Sequence, residues 1–374
     1  MFNGTYRNLN VLVTGHTGFK GSWLCEWLLL LGANVAGYSL APPSQPALFE
    51  ALGLGARMRD VRGDVRDPAG LALVIRESKP RLILHLAAQS LVRASYSDPV
   101  GTFDTNVLGT VNVLEAVRLA GQSCAVVIVT TDKCYENREW IHSYREEDPM
   151  GGYDPYSASK GCAEIVTASY RRSFFPSDSS VLVASARAGN VLGGGDWAQD
   201  RILPDCIRHL ALGHSIPVRN KHATRPWQHV LEPLSGYLLI GGRLVAQLGL
   251  PPSERAQAQH AMCAGAFNFG PSLDSNRSVA DLVQEVLKHW PGRWDDQSSP
   301  TSPHEASLLN LATDKARHLL KWKPIWSFEE TVCQTVSWYR TMHANPAGSA
   351  GDLTRSQIQA YATAAGDRQV IWVR

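Results

Sequence analysis

Short apolar runs alternate with helix-length amphipathic stretches through the first half of the chain. The runs Asn10 to Val13, Asn34 to Tyr38, Met58 to Val61, Leu82 to Leu86, Ala125 to Val129 and Val181 to Ala186 predict strands. Between them, Gly21 to Leu31, Leu71 to Glu77, Val100 to Ala120 and Tyr156 to Tyr170 predict helices. This βαβ alternation predicts an α/β fold with a doubly wound parallel sheet and helices on both faces. A ligand of such a sheet sits beyond the carboxyl ends of its strands.

After about residue 190 the pattern loosens, and glycine, proline and tryptophan become frequent. A strand at Ala266 to Phe269 and helices at Val279 to His289 and Thr313 to Leu320 predict a smaller, mixed second part. Pro291 to Pro303, polar and flanked by prolines, predicts a loop, and Arg355 to Ala362 a helix in the tail. With 374 residues, the chain is expected to form one large domain or two intimate ones.

Composition changes this picture little. Apolar residues at 44% and charged residues at 19% describe an ordinary globular protein. A net charge of +2 gives no reason to expect nucleic acid or a membrane surface as partner. The polar stretch Met1 to Leu9 does not read as a signal peptide, and no apolar run is long enough to span a bilayer. Seven widely spaced cysteines, with no CxxC and no Cys/His cluster, read as reduced thiols in the cytoplasm, without a disulfide framework or a metal site.

Chemistry enters with "VLVTGHTGFKG", which sets Gly15, Gly18 and Gly21 between a strand and a helix. Glycines there allow a tight turn and close approach of backbone to a pyrophosphate, which the helix N-terminus stabilises. The turn therefore predicts dinucleotide binding, with Lys20 inside it as a candidate phosphate contact. After the second strand, where an acid usually holds the adenosine ribose, the chain reads Gly37-Tyr38-Ser39-Leu40, with neither acid nor arginine. That leaves NAD and NADP both open; the missing arginine leans towards NAD. Asp64 in "GDVRD" could accept from the adenine amino group, whereas Asp67 before Pro68 reads as a helix cap.

A second constellation follows. "TTDKCYEN" (130–137) delivers Thr131, Asp132 and Lys133 from the end of a strand, and "YDPYSASK" places Tyr156 and Lys160 four apart on a helix, hence on one face. A phenol with a pKa of about 10 becomes a base near neutrality only if nearby cations lower it. Lysine at about 10.4 is likewise a poor base unless burial or cations pull it down. Because successive strand residues face opposite ways, Asp132 and Lys133 can reach one ligand only if the strand has already ended. On their own, the pair could equally be a solvated loop.

With these residues in place, the chain resembles the extended short-chain dehydrogenase/reductases, in their nucleotide-sugar epimerase/dehydratase branch. The resemblance rests on "TGHTGFKGSWL" (14–24), "LHLAAQSLV" (84–92), "TTDKCYEN" (130–137), "YSASKGCAE" (156–164), "RAGNVLGGGDWAQDRILPD" (187–205) and "RPWQHVLEPLSGYL" (225–238). It implies a Rossmann-type dinucleotide domain over 1–187 with a returning segment near 226–270, and a discontinuous nucleotide-sugar domain over most of 188–374. Also implied are bound NAD and cofactor contacts from Thr14, Gly15, His16, Thr17, Gly18, Phe19, Lys20, Gly21, Ser39, Asp64, Val65, Leu86, Ala87 and Ala88, joined by Tyr156 and Lys160.

By the same resemblance the activity is a 4,6-dehydration of a nucleotide sugar, CDP-glucose. Tyr156, assisted by Thr131 and Lys160, takes the C4 hydroxyl proton; Asp132 donates a proton to the leaving C6 hydroxyl; Lys133, where relatives carry glutamate, takes the C5 proton. Asn190, the run Gly193-Gly194-Gly195 and Arg201 are placed around the diphosphate. Arg219 and Arg225 are candidates for its oxygens, since guanidinium binds phosphate bidentately. His229 could touch the ribose, and Gln89, Ser90 and Arg93 the sugar or phosphates. Trp322, Pro324 and Trp326 read as packing. Helices flanking the sheet are expected to make a homo-oligomer, dimer or tetramer. Two other readings stay open: a dTDP-, GDP- or UDP-sugar dehydratase or epimerase, and a redox-sensing binding protein without catalysis. Retention of Thr131, Tyr156 and Lys160 weighs against the latter.

Overall fold

A computed structural model of the chain describes residues 1–255, 263–298 and 308–373. Its centre is a seven-stranded parallel sheet built from β1 (Asn10–Thr14), β2 (Asn34–Ser39), β3 (Arg59–Arg62), β4 (Leu82–His85), β5 (Cys124–Val129), β6 (Val181–Ala188) and β7 (Ala266–Phe269). The spatial order is β7-β6-β5-β4-β1-β2-β3. The order reverses between β1 and β4, where Val11 pairs with Leu82, so the ligand crevice of the doubly wound sheet opens beyond Thr14 and His85. Every residue of β5 and β6 is buried, as strands covered on both faces must be. Alternate residues feed two cores. Val11, Leu82, Leu84, Val127 and Val129 face one side with Trp23 and Trp27; Leu12, Ile83, Val126 and Ile128 face the other with Val113, Leu114 and Val117.

The helices differ from expectation in informative ways. Leu231–Leu248, visible in the sequence only as part of a motif, is a helix packed on β5 and β6. It buries the polar Glu232, Ser235 and Gln247 and leaves Val245 and Ala246 less covered, so polarity does not mark its outer face. The stretch from Val100 to Ala120 is not one regular helix. It is wound as α-helix over Pro99–Phe103, π-helix over Asp104–Leu108 and α-helix over Gly109–Ala120. The π turn carries Asn106 inward, where its amide accepts from Gln89 N (2.9 Å) and donates to Gln89 O (2.9 Å) and Ser159 Oγ (2.8 Å). Within the expected loop at 291–303, Trp294–Asp296 instead pairs with Ile216–Val218; residues 299–303 lie outside those described. The tail helix is longer than its pattern suggests, Ala350–Asp367. Among the described residues, no helix is long and apolar enough to cross a membrane.

Candidate active site

The glycine turn joins β1 to the helix Phe19–Leu30. Gly15 has φ +75°, and a Cβ there would lie 2.7 Å from Ala87 N; one on Gly21 would lie 2.1 Å from Gly15 O. Both glycines are therefore demanded by the turn itself. Gly18 differs: its φ is −75°, and a Cβ would meet only Gly15 O at an ordinary 3.5 Å. It caps the helix without a side-chain hydrogen bond, and the first turn holds no acid. First-turn amides without intrahelical partners, over a smooth backbone, are what a pyrophosphate needs, so these residues fit a dinucleotide. Thr14 Oγ1 ties the crevice together, bonding His85 Nδ1 (2.7 Å) and accepting from Ala87 N (3.2 Å). Leu86, Ala87 and Ala88 follow as the half-buried opposite wall, and Phe19 packs beside Gly193.

Three expectations around the cofactor change. His16 does not turn its ring to the crevice: the ring is wholly buried, with Nε2 2.8 Å from Asp60 Oδ1 and Phe49 packed edge-on. Only glycine at position 37 leaves it room, since a Cβ there would lie 2.3 Å from the ring. His16 thus has only its main chain to offer. Secondly, an arginine does lie near the end of β2. Ser39 pairs with Arg62 in register, and Arg62 Nη1 donates to Leu40 O (3.2 Å), while its Nη2 is held by Asp60 (2.8 Å). The local string could not show this because Arg62 arrives from the neighbouring strand. Thirdly, Asp64 is bound by Arg66 (2.6 Å), which holds its carboxyl below the usual range. Ser39 Oγ meets Thr17 Oγ1 at 2.9 Å, and Val65 packs under Gly109.

The Thr-Asp-Lys string sits where β5 has stopped. β5 ends at Val129, and Asp132–Cys134 forms one 3-10 turn capped by Thr131. The strand has therefore ended before the acid and base, as their shared reach requires. Asp132 is 3% exposed; burial pushes its carboxyl above the usual range, against the pull of Lys133, Thr131, Arg225 and Lys20. Thr131 Oγ1 donates to Asp132 Oδ1 (3.0 Å), and Lys133, half-buried, follows on the same turn.

The helix Pro155–Ser173 packs against this turn, capped by Asp154, whose Oδ1 accepts from Ser157 N (3.0 Å). Tyr156 and Lys160 are both buried. Burial pushes the Tyr156 phenol up to about 12, against its hydrogen bond with Thr131 and the charge of Arg201, so the net shift is opposite to the lowering expected from nearby cations. Lys160 Nζ donates to Val129 O (3.2 Å), and burial lowers it to about 8. Lys20 reaches into this same cluster. Its ammonium lies 5.9 Å from the Tyr237 ring centre and is lowered to about 8 by burial, then by the charges of Arg201 and Lys160.

The substrate-side expectations divide. Arg201, fixed by Asp196 Oδ2 at 2.9 Å, acts through its charge on Tyr156 and Lys20, and Arg225 on Asp132, so both lie within charge range of the cluster. Arg219 lies at the exposed rim, paired with Asp200 (2.8 Å) and Asp205 (3.3 Å), with Arg93 on the other side of Asp200 (3.2 Å). Asn190 is half-buried beside Gly189, Ser90 is exposed, and the Gln89 side chain is engaged by Thr102 and Leu91. Gly195 has a packing reason: its φ is +81°, and a Cβ there would lie 2.5 Å from the Leu48 side chain; Gly194 likewise abuts Trp338. His229 is corrected to a core residue. Its ring is wholly buried between Trp23 (5.6 Å) and Trp326 (4.7 Å), and burial lowers it to about 3. It therefore stays neutral and packs in the core. Among the described residues, no group of three or more His, Cys, Asp or Glu could hold a metal ion.

The family described as GDP-mannose 4,6 dehydratase matches residues 12–335 of this chain. CDP-glucose 4,6-dehydratase of Salmonella typhimurium is 46% identical over 343 residues, 90% of this chain and 91% of that protein. A dTDP-glucose 4,6-dehydratase of Streptomyces antibioticus is 29% identical, covering 90% and 94%. The structure of dTDP-glucose 4,6-dehydratase from Streptomyces venezuelae, solved with NAD, has a TM-score of 0.74 at 25% identity, covering 90% of this chain and 99% of that one. UDP-glucose 4-epimerase from Thermotoga maritima has the same fold, with a TM-score of 0.74 at 20% identity over 89% and 99%.

Proposed function

The chain belongs to the GDP-mannose 4,6 dehydratase family, and from that premise we propose that it is an NAD-dependent CDP-glucose 4,6-dehydratase. It converts CDP-D-glucose to CDP-4-keto-6-deoxy-D-glucose and water, a step of deoxysugar biosynthesis. The 46% identity to the Salmonella protein over nine-tenths of both chains favours the cytidine nucleotide over the dTDP, GDP and UDP alternatives. NAD, held at the glycine turn of Gly15, Gly18 and Gly21, would supply the hydride acceptor and donor that the reaction needs.

This chain's own groups manage the protons. Tyr156 receives the C4 hydroxyl proton; its hydrogen bond with Thr131 and the charge of Arg201 work against the burial that raises the phenol, and the positive nicotinamide of bound NAD would add the further pull a base needs. A C4 ketone acidifies the C5–H, because the carbanion formed there is delocalised onto the ketone oxygen. Lys133 takes that proton, and Asp132 gives one to the departing C6 hydroxyl. The observation that carries this assignment is Asp132: a buried carboxyl with its pKa raised, and so able to hold a proton, sits one residue from an amine on a turn bonded to Tyr156's own partner. Arg201 and Arg225, whose charges act on Tyr156 and Asp132, are assigned to the sugar diphosphate, and Lys20 to the cofactor at the glycine turn. A cytoplasmic enzyme of lipopolysaccharide sugar synthesis, oligomeric through the helices flanking Ile165 and Leu108, completes the proposal; both side chains are over half exposed.

The purified protein, given NAD and CDP-, dTDP-, GDP- and UDP-glucose in turn, should lose water from the CDP sugar, read by mass spectrometry of the 4-keto-6-deoxy product. No water loss from CDP-glucose overturns the reading. Lys133→Ala should still oxidise C4, seen as a rise in reduced nicotinamide absorbance, while exchange of the C5 proton with deuterated solvent slows by about a hundredfold. Unaltered exchange would remove Lys133 as the base. Light scattering should give a mass of two or more chains.

A further inference from the structure

Resting on the site just assigned, we propose that Glu164 is its positioning residue: one buried carboxylate locks the Thr130–Lys133 turn to the Tyr156 helix and sets a negative charge beside Lys160. Glu164 lies four residues after Lys160 and eight after Tyr156 on the same helix, hence on the same face. It is 4% exposed and fully engaged. Oε1 accepts from Thr130 Oγ1 (2.5 Å); Oε2 accepts from Ser185 Oγ (2.7 Å) and Arg187 Nη2 (2.9 Å). Arg187 then reaches the far side of the same turn through Tyr135 OH (2.7 Å) and Glu146 O (2.9 Å), and Tyr135 donates onward to Asn268 (2.7 Å).

The connectivity explains why a charge sits here. Thr130 lies between Val129, whose carbonyl receives the Lys160 ammonium, and Thr131, which bonds both Asp132 and Tyr156. Fixing the Thr130 hydroxyl therefore fixes the acid, the phenol and the ammonium against one another. A buried ion pair is a weak source of stability, since well-packed apolar groups often serve as well. Holding four elements in register is what this pair adds. Burial would raise Glu164, yet Arg187 and the hydroxyl donors bring it below the ordinary range, so it stays ionised. Its charge opposes the burial that lowers Lys160. The other groups facing Lys160 are Cys134 on the turn, Lys20 from the glycine turn, His85 at the end of β4, and Tyr156.

Two variants separate charge from tether. Glu164→Gln removes the charge and should lower the Lys160 titration midpoint by about one pH unit, followed by 13C resonances of labelled lysine assigned through Lys160→Arg. That reading needs no substrate, so it stands apart from the assigned reaction, which falls instead if the unaltered protein fails to dehydrate CDP-glucose. The alkaline limb of kcat/KM should move down by the same amount. Thr130→Val removes only the tether and should cut kcat about tenfold with KM little changed, and Thr130→Ser should restore it. An unmoved Lys160 midpoint in Glu164→Gln overturns the proposal. So does a wild-type kcat in Thr130→Val, which decides the matter if Glu164→Gln does not fold.

Discussion

Asp132 owes the room for its carboxyl to a glycine on another strand's exit. A Cβ on Gly189 would lie 2.6 Å from Asp132 Oδ2 and 3.5 Å from Pro226. Gly189→Ala should therefore swing the acid out of line and slow water loss by at least about tenfold, leaving C4 oxidation intact; equal rates of product formation in both proteins would refute this. Lys160 gives a second residue-scale prediction. Its folded pKa, near 8, lies below the ordinary 10.5, so the ammonium is lost as pH rises through about 8. A pH profile of kcat/KM should fall above about pH 8 rather than above 10. Tyr156, Lys160, Thr131 and Asp132 were readable because each lies in a string with its partner. Asp60 against His16, Arg62 against Leu40 and Gly189 against Asp132 were not, because parallel strands bring together residues distant in sequence.

At the scale of elements, the apolar runs of the sheet were legible to within a residue or two because buried parallel strands cannot hide their hydrophobicity. A wet face helps a helix to be read but is not required: Phe19–Leu30 was legible although Gly21 to Leu28 are all buried. Leu231–Leu248 buries its polar Glu232, Ser235 and Gln247 and so hides its period, and the π turn at Asp104–Leu108 accompanies the three bonds of Asn106 rather than any local pattern. Gly161 shows how such contacts reverse propensity. In a mid-helix position alanine normally gains about 1 kcal/mol over glycine. Here a Cβ would lie 2.6 Å from Gly151 O and 3.2 Å from Cys134 O, both backbone atoms of the segment carrying the active turn. Gly161→Ala should destabilise by about 1–3 kcal/mol instead. A urea midpoint at or above wild type would show that the turn and helix can part without cost.

Across the whole molecule, the chain's ends are stitched to its middle through one carboxylate. Glu232, at the start of the helix Leu231–Leu248, accepts from Ile325 N (3.0 Å), Trp326 N (2.7 Å) and Tyr361 OH (2.7 Å). Tyr361 stacks on Trp372 (5.7 Å), which stacks on Phe2 (5.2 Å), and Arg355 pairs with the wholly buried Glu26 (3.0 Å). Burial raises Glu232 to about 7 against those three donors. Between the ordinary 4.5 and 7 the folded chain keeps a proton that the unfolded chain has lost. Glu232's contribution to stability is thus greatest at low pH, falls as pH rises to about 7, and is then constant. Buried His85 and His229, both lowered to about 3, act the other way, costing stability as pH drops below 6.5. A single pH series would mix the two, but Glu232→Gln isolates one. Relative to wild type, the glutamine protein should gain up to about 3 kcal/mol between pH 5 and pH 8 in urea unfolding. A difference that stays constant with pH would mean that Glu232 is ionised throughout, its charge carried by the two amides and the tyrosine alone.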